Sequence, residues 1–282
     1  MHEATDRPVV TREQIVADLA QLGLRPRDVV FFHSSLRSLG WVEGGAEAVI
    51  DALLDVVGPE GLIIVPTFTA TFAKGDLARY AFNPTETPSR VGRITDALWR
   101  RPNAHRSAHP THSIAAIGRR AEELLRGHEH TSTFGKDGPY RRYVDWGAKI
   151  LFLGVDLRCN TTLHAIEDWL DLPYLQEEQA LIEGPGGQPV VERVTKSPMG
   201  DRDFYREDSK VERLLGKRGL VRRGKVAAAD ARWMASQEMV DVVVNGIYDA
   251  PDLLLCDRED CEFCTRYRQP TIDHIRNNRP RI

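Results

Sequence analysis

The sequence predicts a mixed α/β fold: a mainly parallel sheet flanked by helices, with an antiparallel hairpin at the edge and a helical C-terminal part. Three observations predict it. Short apolar runs at 29–32, 62–65, 114–117 and 149–153 have the length of buried strands. Segments with helical apolar spacing lie between them. Late in the chain, residues 180–183 and 190–194 flank Gly184-Pro185-Gly186-Gly187-Gln188, which is a hairpin signature.

In chain order, Thr11 caps a helix running to about Leu22, with Ile15, Val16, Leu19 and Leu22 on one face. The strand 29–32 follows, then a loop at 33–40. Gly44-Gly45 opens a helix carrying Val49, Ile50, Leu53, Leu54 and Val57. A turn at 58–61 leads to the strand 62–65. This β-loop-α-β order predicts parallel strands with a right-handed crossover. Residues 66–90 read as a long irregular segment, a length often tied to function. A helix is expected over 90–101, a strand over 114–117 and a short helix over 122–126. His128-Glu129-His130 and residues 134–139 read as exposed loop. His-x-His has no third ligand nearby, so a solvated loop is the better reading of it. After the hairpin, 196–203 reads as irregular, with helices over 207–215 and 230–244.

The chain has 282 residues, 41% hydrophobic and 28% charged, with a formal net charge of −3. These are ordinary values for a folded domain. We expect one domain over 1–282. The absence of basic excess speaks against nucleic acid as a partner. No apolar run reaches the roughly 18 residues that span a bilayer. Met1 to Pro8 carries no apolar signal core, so a cytoplasmic location is expected. Four cysteines in such a length do not form a disulfide scaffold.

The stretch from Lys149 to Asp168 carries the most chemistry. A strand ends at Gly154, and Asn160 or Thr161 can cap a new helix. His164 falls in its first turn and Glu167 three residues later, on the same face. The positive helix end keeps an imidazole neutral, as a general base requires. Glu167 or Asp168 could hold the ring. The plainer reading is that His164 caps its helix. The loop after the first strand holds Ser34, Ser35 and Arg37 before a glycine-led helix start, which suits phosphate. It is equally read as a plain βα connection, being neither a Walker A loop nor a Gly-x-Gly-x-x-Gly turn. Arg106, His109 and His112 stand near a strand end, where α/β ligands bind, though either histidine is equally read as structural, bonding a backbone carbonyl. Cys256-x4-Cys261-x2-Cys264 resembles part of a tetrahedral zinc site, with His274, Asp201 or Asp203 as fourth ligand. The alternative is three thiols on a helix and loop.

Together these stretches resemble the antibiotic N-acetyltransferase family, typified by aminoglycoside 3-N-acetyltransferases and distinct from GNAT-type enzymes. The marks are the runs at 32–40, 58–62, 82–84 and 105–110, with those at 153–155, 160–167 and 224–226. The resemblance spans about residues 11–268. It implies acetyl-CoA as co-substrate and an amine, usually of an aminoglycoside-like sugar, as acceptor. It implies His164 as catalytic base with Glu167 beside it. His33, Ser34, Ser35 and Arg37 would meet the CoA pyrophosphate region, and Arg106, Ser107 and His109 would line the same cleft. Asp156, Asp168 and Asp201 would bind the ammonium groups of the acceptor. Residues 1–175 would hold donor and base, and 176–282 would shape the acceptor site. A homodimer is compatible with it. Relatives often carry a late cysteine pair, matched by Cys261 and Cys264. This chain departs from some relatives at Ala228 and at 200–203, which puts the identity of the acceptor in question. Three alternatives stand beside this reading: Cys159 as a transient acyl carrier, an acetyltransferase for a non-antibiotic amine, and a CoA- or zinc-binding protein without catalysis.

Overall fold

Alternate residues of the central strands face opposite sides of one sheet, and both sides are covered. This explains why the strands read as unbroken apolar runs. The computed structural model describes residues 8–69, 81–196 and 209–279. Phe31, Ile64, Ala116, Ile150 and Phe152 point into one core. Val30, Phe32, Ile63, Val65, Leu151 and Leu153 point into the other.

Most of the core around Val30 and Phe32 is built before residue 100. A short strand β1 (Val9–Val10) leads into helix α1 (Arg12–Leu22), capped by Thr11, whose hydroxyl accepts from the Gln14 amide at 3.3 Å. Strand β2 (Val29–Ser34) is followed by a tight turn at Leu36–Leu39 and strand β3 (Trp41–Val42), which pairs with β1. Helix α2 (Gly45–Val57) returns to strand β4 (Leu62–Pro66), and β2 and β4 are parallel as expected. Helix α3 (Arg93–Trp99) completes this layer.

Strands β5 (His105–Arg106) and β6 (Ile114–Gly118) form an antiparallel pair on the far side of β4. Helices α4 (Ala121–Leu125) and α5 (Pro139–Asp145) precede strand β7 (Lys149–Leu153), which lies parallel to β2. Helix α6 (Thr161–Trp169) follows, then strands β8 (Gln176–Glu183) and β9 (Pro189–Lys196). Helix α7 (Lys210–Lys217) leads to strands β10 (Arg222–Val226) and β11 (Ala229–Ala235), then helices α8 (Ser236–Asp249) and α9 (Glu262–Asn277). The sheet order is β10-β11-β7-β2-β4-β6-β5. No helix among the described residues is long and apolar enough to cross a membrane.

The α/β class with its C-terminal helices stands, and four details differ. Among the described strands of the main sheet, β7, β2 and β4 pair in parallel and the flanking pairs are antiparallel, so the sheet is mixed rather than mainly parallel. Strand β6 turns back directly from β5 and lies between β5 and β4, so it runs antiparallel to both. The hairpin β8–β9 is a sheet of its own, joined to residue Phe82 by one bridge rather than to the main sheet's edge. The helix expected over 230–244 begins only at Ser236. Residues 229–235 form a strand instead, because pairing with β7 overrides the helical propensity of its alanines. The loop expected to be exposed at 128–130 and 134–139 buries His128, and buries Phe134 in the core that holds Phe31 and Phe152. The irregular stretch expected over 196–203 lies almost wholly outside the described residues, as does the start of the helix expected at 207.

Gly154 ends β7 where the loop after β2 packs against it. Its φ is +67°, and an added Cβ would lie 2.2 Å from the Ser38 Cβ. The Ser38 hydroxyl donates to the Gly154 carbonyl at 3.2 Å. Gly186 has a similar φ of +70° with open space around it. Gly154→Ala should therefore cost roughly 2–4 kcal/mol, and Gly186→Ala about 1 kcal/mol. Urea midpoints measure both; equal losses would contradict the close-packing account.

Candidate active site

The parallel strands β2 and β4 end side by side, and the residues at their C-terminal ends open a cavity. Ser34 and Pro66 line it with His33, Phe68, His112, Phe134, Cys159 and His164, in a volume of about 220 Å³. The C-terminal edge of parallel strands is where open α/β sheets place ligands. Among the described residues, those that line it lie between 33 and 164.

Helix α6 carries the ionisable pair. Asn160 caps it, its side-chain oxygen accepting from the Thr162 amide at 3.2 Å. Asn160 is itself buried and reaches the Met239 sulfur. His164, one turn in, bonds through Nδ1 to Glu167 Oε2 at 2.6 Å. The Glu167 side chain is only 2% exposed. Its other oxygen accepts from the buried Tyr174 hydroxyl at 2.8 Å. A carboxylate accepting from Nδ1–H assigns the proton of the neutral ring to that nitrogen and leaves Nε2 as the basic one. Phe134 stacks on the His164 ring, centroids 5.7 Å apart.

The next carboxylate on α6 has a different task. Asp168 accepts from the Ser132 hydroxyl at 3.0 Å and the Phe134 amide at 3.4 Å. Burial raises its pKa, while those bonds oppose the rise. It fastens the loop that holds Phe134 against His164. Asp156 begins the turn at Leu157–Cys159 and pairs with Arg158 at 2.8 Å. Burial pushes its carboxyl up, but bonds from Arg158 bring the net shift down. Burial raises the Cys159 thiol, and the Asp156 charge adds to this, so Cys159 is held as a neutral thiol. Asp201 lies outside the described residues.

The expected donor-binding residues divide. His33 and Ser34 line the cavity. Ser35 and Arg37 lie on the following turn, with Arg37 exposed. Arg106, Ser107 and His109 do not reach the cavity and instead support its far wall. The Arg106 guanidinium donates to the carbonyls of Thr67, Pro84 and Thr87 and to the hydroxyls of Thr67 and Ser113. It sits over the rings of Trp99 and Phe82, and burial brings its pKa down to about 10. It ties the segment near Pro84 to the sheet rather than meeting phosphate. Ser107 accepts from the Ile114 amide and bonds Nδ1 of buried His128 at 2.8 Å. His109 stacks on His128, centroids 4.7 Å apart, and its Nδ1 accepts from the His112 amide. The expectation of a solvated His-x-His loop therefore fails at its first histidine.

His112 lines the cavity, as its place near a strand end led us to expect, whereas Phe68, Phe134 and Tyr174 have no functional signal in the sequence. The second histidine of His109-Pro110-Thr111-His112 was visible there, but Phe134 and Tyr174 join the site only through tertiary contact. Burial lowers the pKa of His33 to about 3 and of His128 to about 4, and lowers that of His109 as well. At the far end of the chain, the sulfurs of Cys256, Cys261 and Cys264 do come together. His274 is not with them; its Nε2 bonds the Leu170 carbonyl at 2.9 Å. Asp203, like Asp201, lies outside the described residues.

Comparison with known proteins places this geometry. A family model described as aminoglycoside 3-N-acetyltransferase matches residues 31–247. Aminoglycoside N(3)-acetyltransferase VII of Streptomyces paromomycinus is 34% identical, over 84% of this chain and 91% of that protein. Aminoglycoside N(3)-acetyltransferase IX of Micromonospora chalcea is 33% identical, over 84% and 93%. The apoenzyme crystal structure of aminoglycoside acetyltransferase AAC(3)-IVa superposes with a TM-score of 0.80 at 27% identity, covering 94% of this chain and 99% of that one.

The buried histidines link stability to pH. Between the ordinary value of 6.5 and each lowered value, the unfolded chain binds a proton that the folded chain refuses. Stability should therefore fall on acidification below about pH 6.5, by about 1.4 kcal/mol per pH unit for each such group. Melting temperatures from pH 7 to 4.5 should decline, and His33→Gln should decline less steeply. Identical slopes would contradict burial of a neutral His33.

Proposed function

Because this chain belongs to the aminoglycoside 3-N-acetyltransferase family, we propose that it moves the acetyl group of acetyl-CoA to an amine of an aminoglycoside or related aminosugar. The relatives' names support the substrate class. The observation that carries the mechanism is the His164–Glu167 bond at the wall of a cavity at the strand ends.

The acceptor amine attacks as the neutral base, its extra proton having gone to solvent, and its nitrogen must shed one more proton as it gains positive charge on addition. His164 takes that proton on Nε2 while the nitrogen adds to the thioester carbonyl carbon. Glu167 offsets the positive charge that the ring gains, and Tyr174 keeps Glu167 in place. General-base assistance of this kind contributes roughly 10²–10⁴ in rate. The Ser34 hydroxyl is buried beside the cavity without a hydrogen-bond partner. It supplies a donor for the carbonyl oxygen as that atom gains charge. Collapse breaks the carbon–sulfur bond, and the imidazolium returns its proton to the departing CoA thiolate. Transfer is direct, since a neutral Cys159 beside a carboxylate is a poor nucleophile.

A cavity of about 220 Å³ takes the thioester end and the reacting amine, not the whole of either substrate. The rest of CoA lies outward along the turn of Ser35 and Arg37. We assign residues 1–175 to donor and base, consistent with the span of the lining residues, and residues 176–282 to the acceptor side.

Purified protein, acetyl-CoA and a panel of amines test the reading by CoA thiol release. The panel holds deoxystreptamine aminoglycosides, aminocyclitols of the kasugamycin type and simple aminosugars. Turnover with at least one aminoglycoside is expected; none above the enzyme-free rate would overturn the assignment. Glu167→Gln keeps the hydrogen-bond acceptor but removes the charge. It should lower kcat about 10-fold or more, with little change in the KM for acetyl-CoA. An unchanged kcat would remove Glu167 from the mechanism.

A further inference from the structure

One cluster of ligand-type side chains stands apart from the cavity. Cys256 follows the buried run Leu253, Leu254 and Leu255. Cys261 caps α9 and Cys264 lies in its first turn. The three sulfurs all lie within 4.8 Å of one another. None of the three cysteines is in a disulfide. A tetrahedral zinc ion with bonds of about 2.3 Å holds its sulfurs about 3.8 Å apart, so a small inward adjustment closes the set.

The surroundings suit anionic sulfur. The Cys256 amide donates to the Cys264 sulfur at 3.2 Å. The helix start beneath Cys261 and Cys264 favours negative charge. Arg268, one turn further along α9, donates to the Cys256 carbonyl and pairs with Asp252. Cysteines serving only as small apolar side chains need no such convergence of three sulfurs.

We propose that Cys256, Cys261 and Cys264 bind one zinc ion, supplying three of its four ligands as thiolates. Binding forms three zinc–sulfur bonds and releases three thiol protons to solvent, with no electron transfer. The ion fastens the start of α9 to the segment before it. Phe263, between two of the ligands, packs on Tyr174 with centroids 5.4 Å apart, and Tyr267 does so at 5.9 Å. The site is structural, and it braces the aromatic group around Tyr174.

Full-length protein from zinc-supplemented medium, kept reduced and free of chelator, should carry about one equivalent of zinc by elemental analysis. Apo protein titrated with cobalt should show a sulfur-to-metal charge-transfer band that saturates at one equivalent. Chelation should lower the melting temperature. Cys261→Ser should lose the zinc and weaken the cobalt band at least 10-fold; if that variant does not fold, the wild-type stoichiometry and band decide. Metal-free protein without the band, or a folded Cys261→Ser variant with undiminished metal, would overturn the proposal. None of these readouts depends on acetyl transfer.

Discussion

A buried carboxylate is costly unless its oxygens are satisfied, and the two oxygens of Glu167 bond His164 and Tyr174. His164 comes from its own helix and Tyr174 from the segment beyond it. The ring, the carboxylate and the hydroxyl thus form one hydrogen-bonded line from the cavity into the core. The line fixes which imidazole nitrogen is basic, and it places the compensating charge before the reaction begins. Everything else near the cavity can be understood as holding that line. Asn160 starts the helix, Asp168 secures the loop beneath Phe134, and α9 packs its aromatic rings on Tyr174.

The buried histidines near the cavity are kept neutral. His33, His109 and His128 lie buried among aromatic rings, and burial keeps each from taking a proton. Neutral rings there avoid repelling a cationic amine, and they leave the cavity's proton chemistry to the ring bonded to a carboxylate. Arg106 gives the cavity's far wall its rigidity. Its hydrogen bonds go to carbonyls and hydroxyls of the 67, 84–87 and 113 positions rather than to a carboxylate. A charge placed this way ties irregular backbone down where no strand or helix could.

Much of this was legible in the residues. Helical periodicity fixed α1 and α2, and Val-Val-Phe-Phe and Leu-Ile-Ile-Val fixed β2 and β4. His164 and Glu167 were legible because three-residue spacing on a helix is a local property. Long-range contacts were not. Asp168 read as a ligand for amines because nothing local shows that Ser132 and Phe134 come back to it. Arg106, Ser107 and His109 read as cleft residues because their position near a strand end is visible, whereas the direction of their side chains is not. Residues 229–235 read as helix because alanine favours helix locally, and only the neighbouring β7 makes them a strand. Tyr174 has no signal at all in sequence, since its partner is seven residues away across a turn.

The central claim is that the His164 ring removes the acceptor's proton. Its most direct measurement is the acetylation rate of His164→Ala with a good acceptor, beside the variant's melting temperature and acetyl-CoA affinity. The account predicts a fall of about 10²–10⁴ in kcat, with folding and donor binding retained. A folded variant that acetylates at close to the wild-type rate would contradict it.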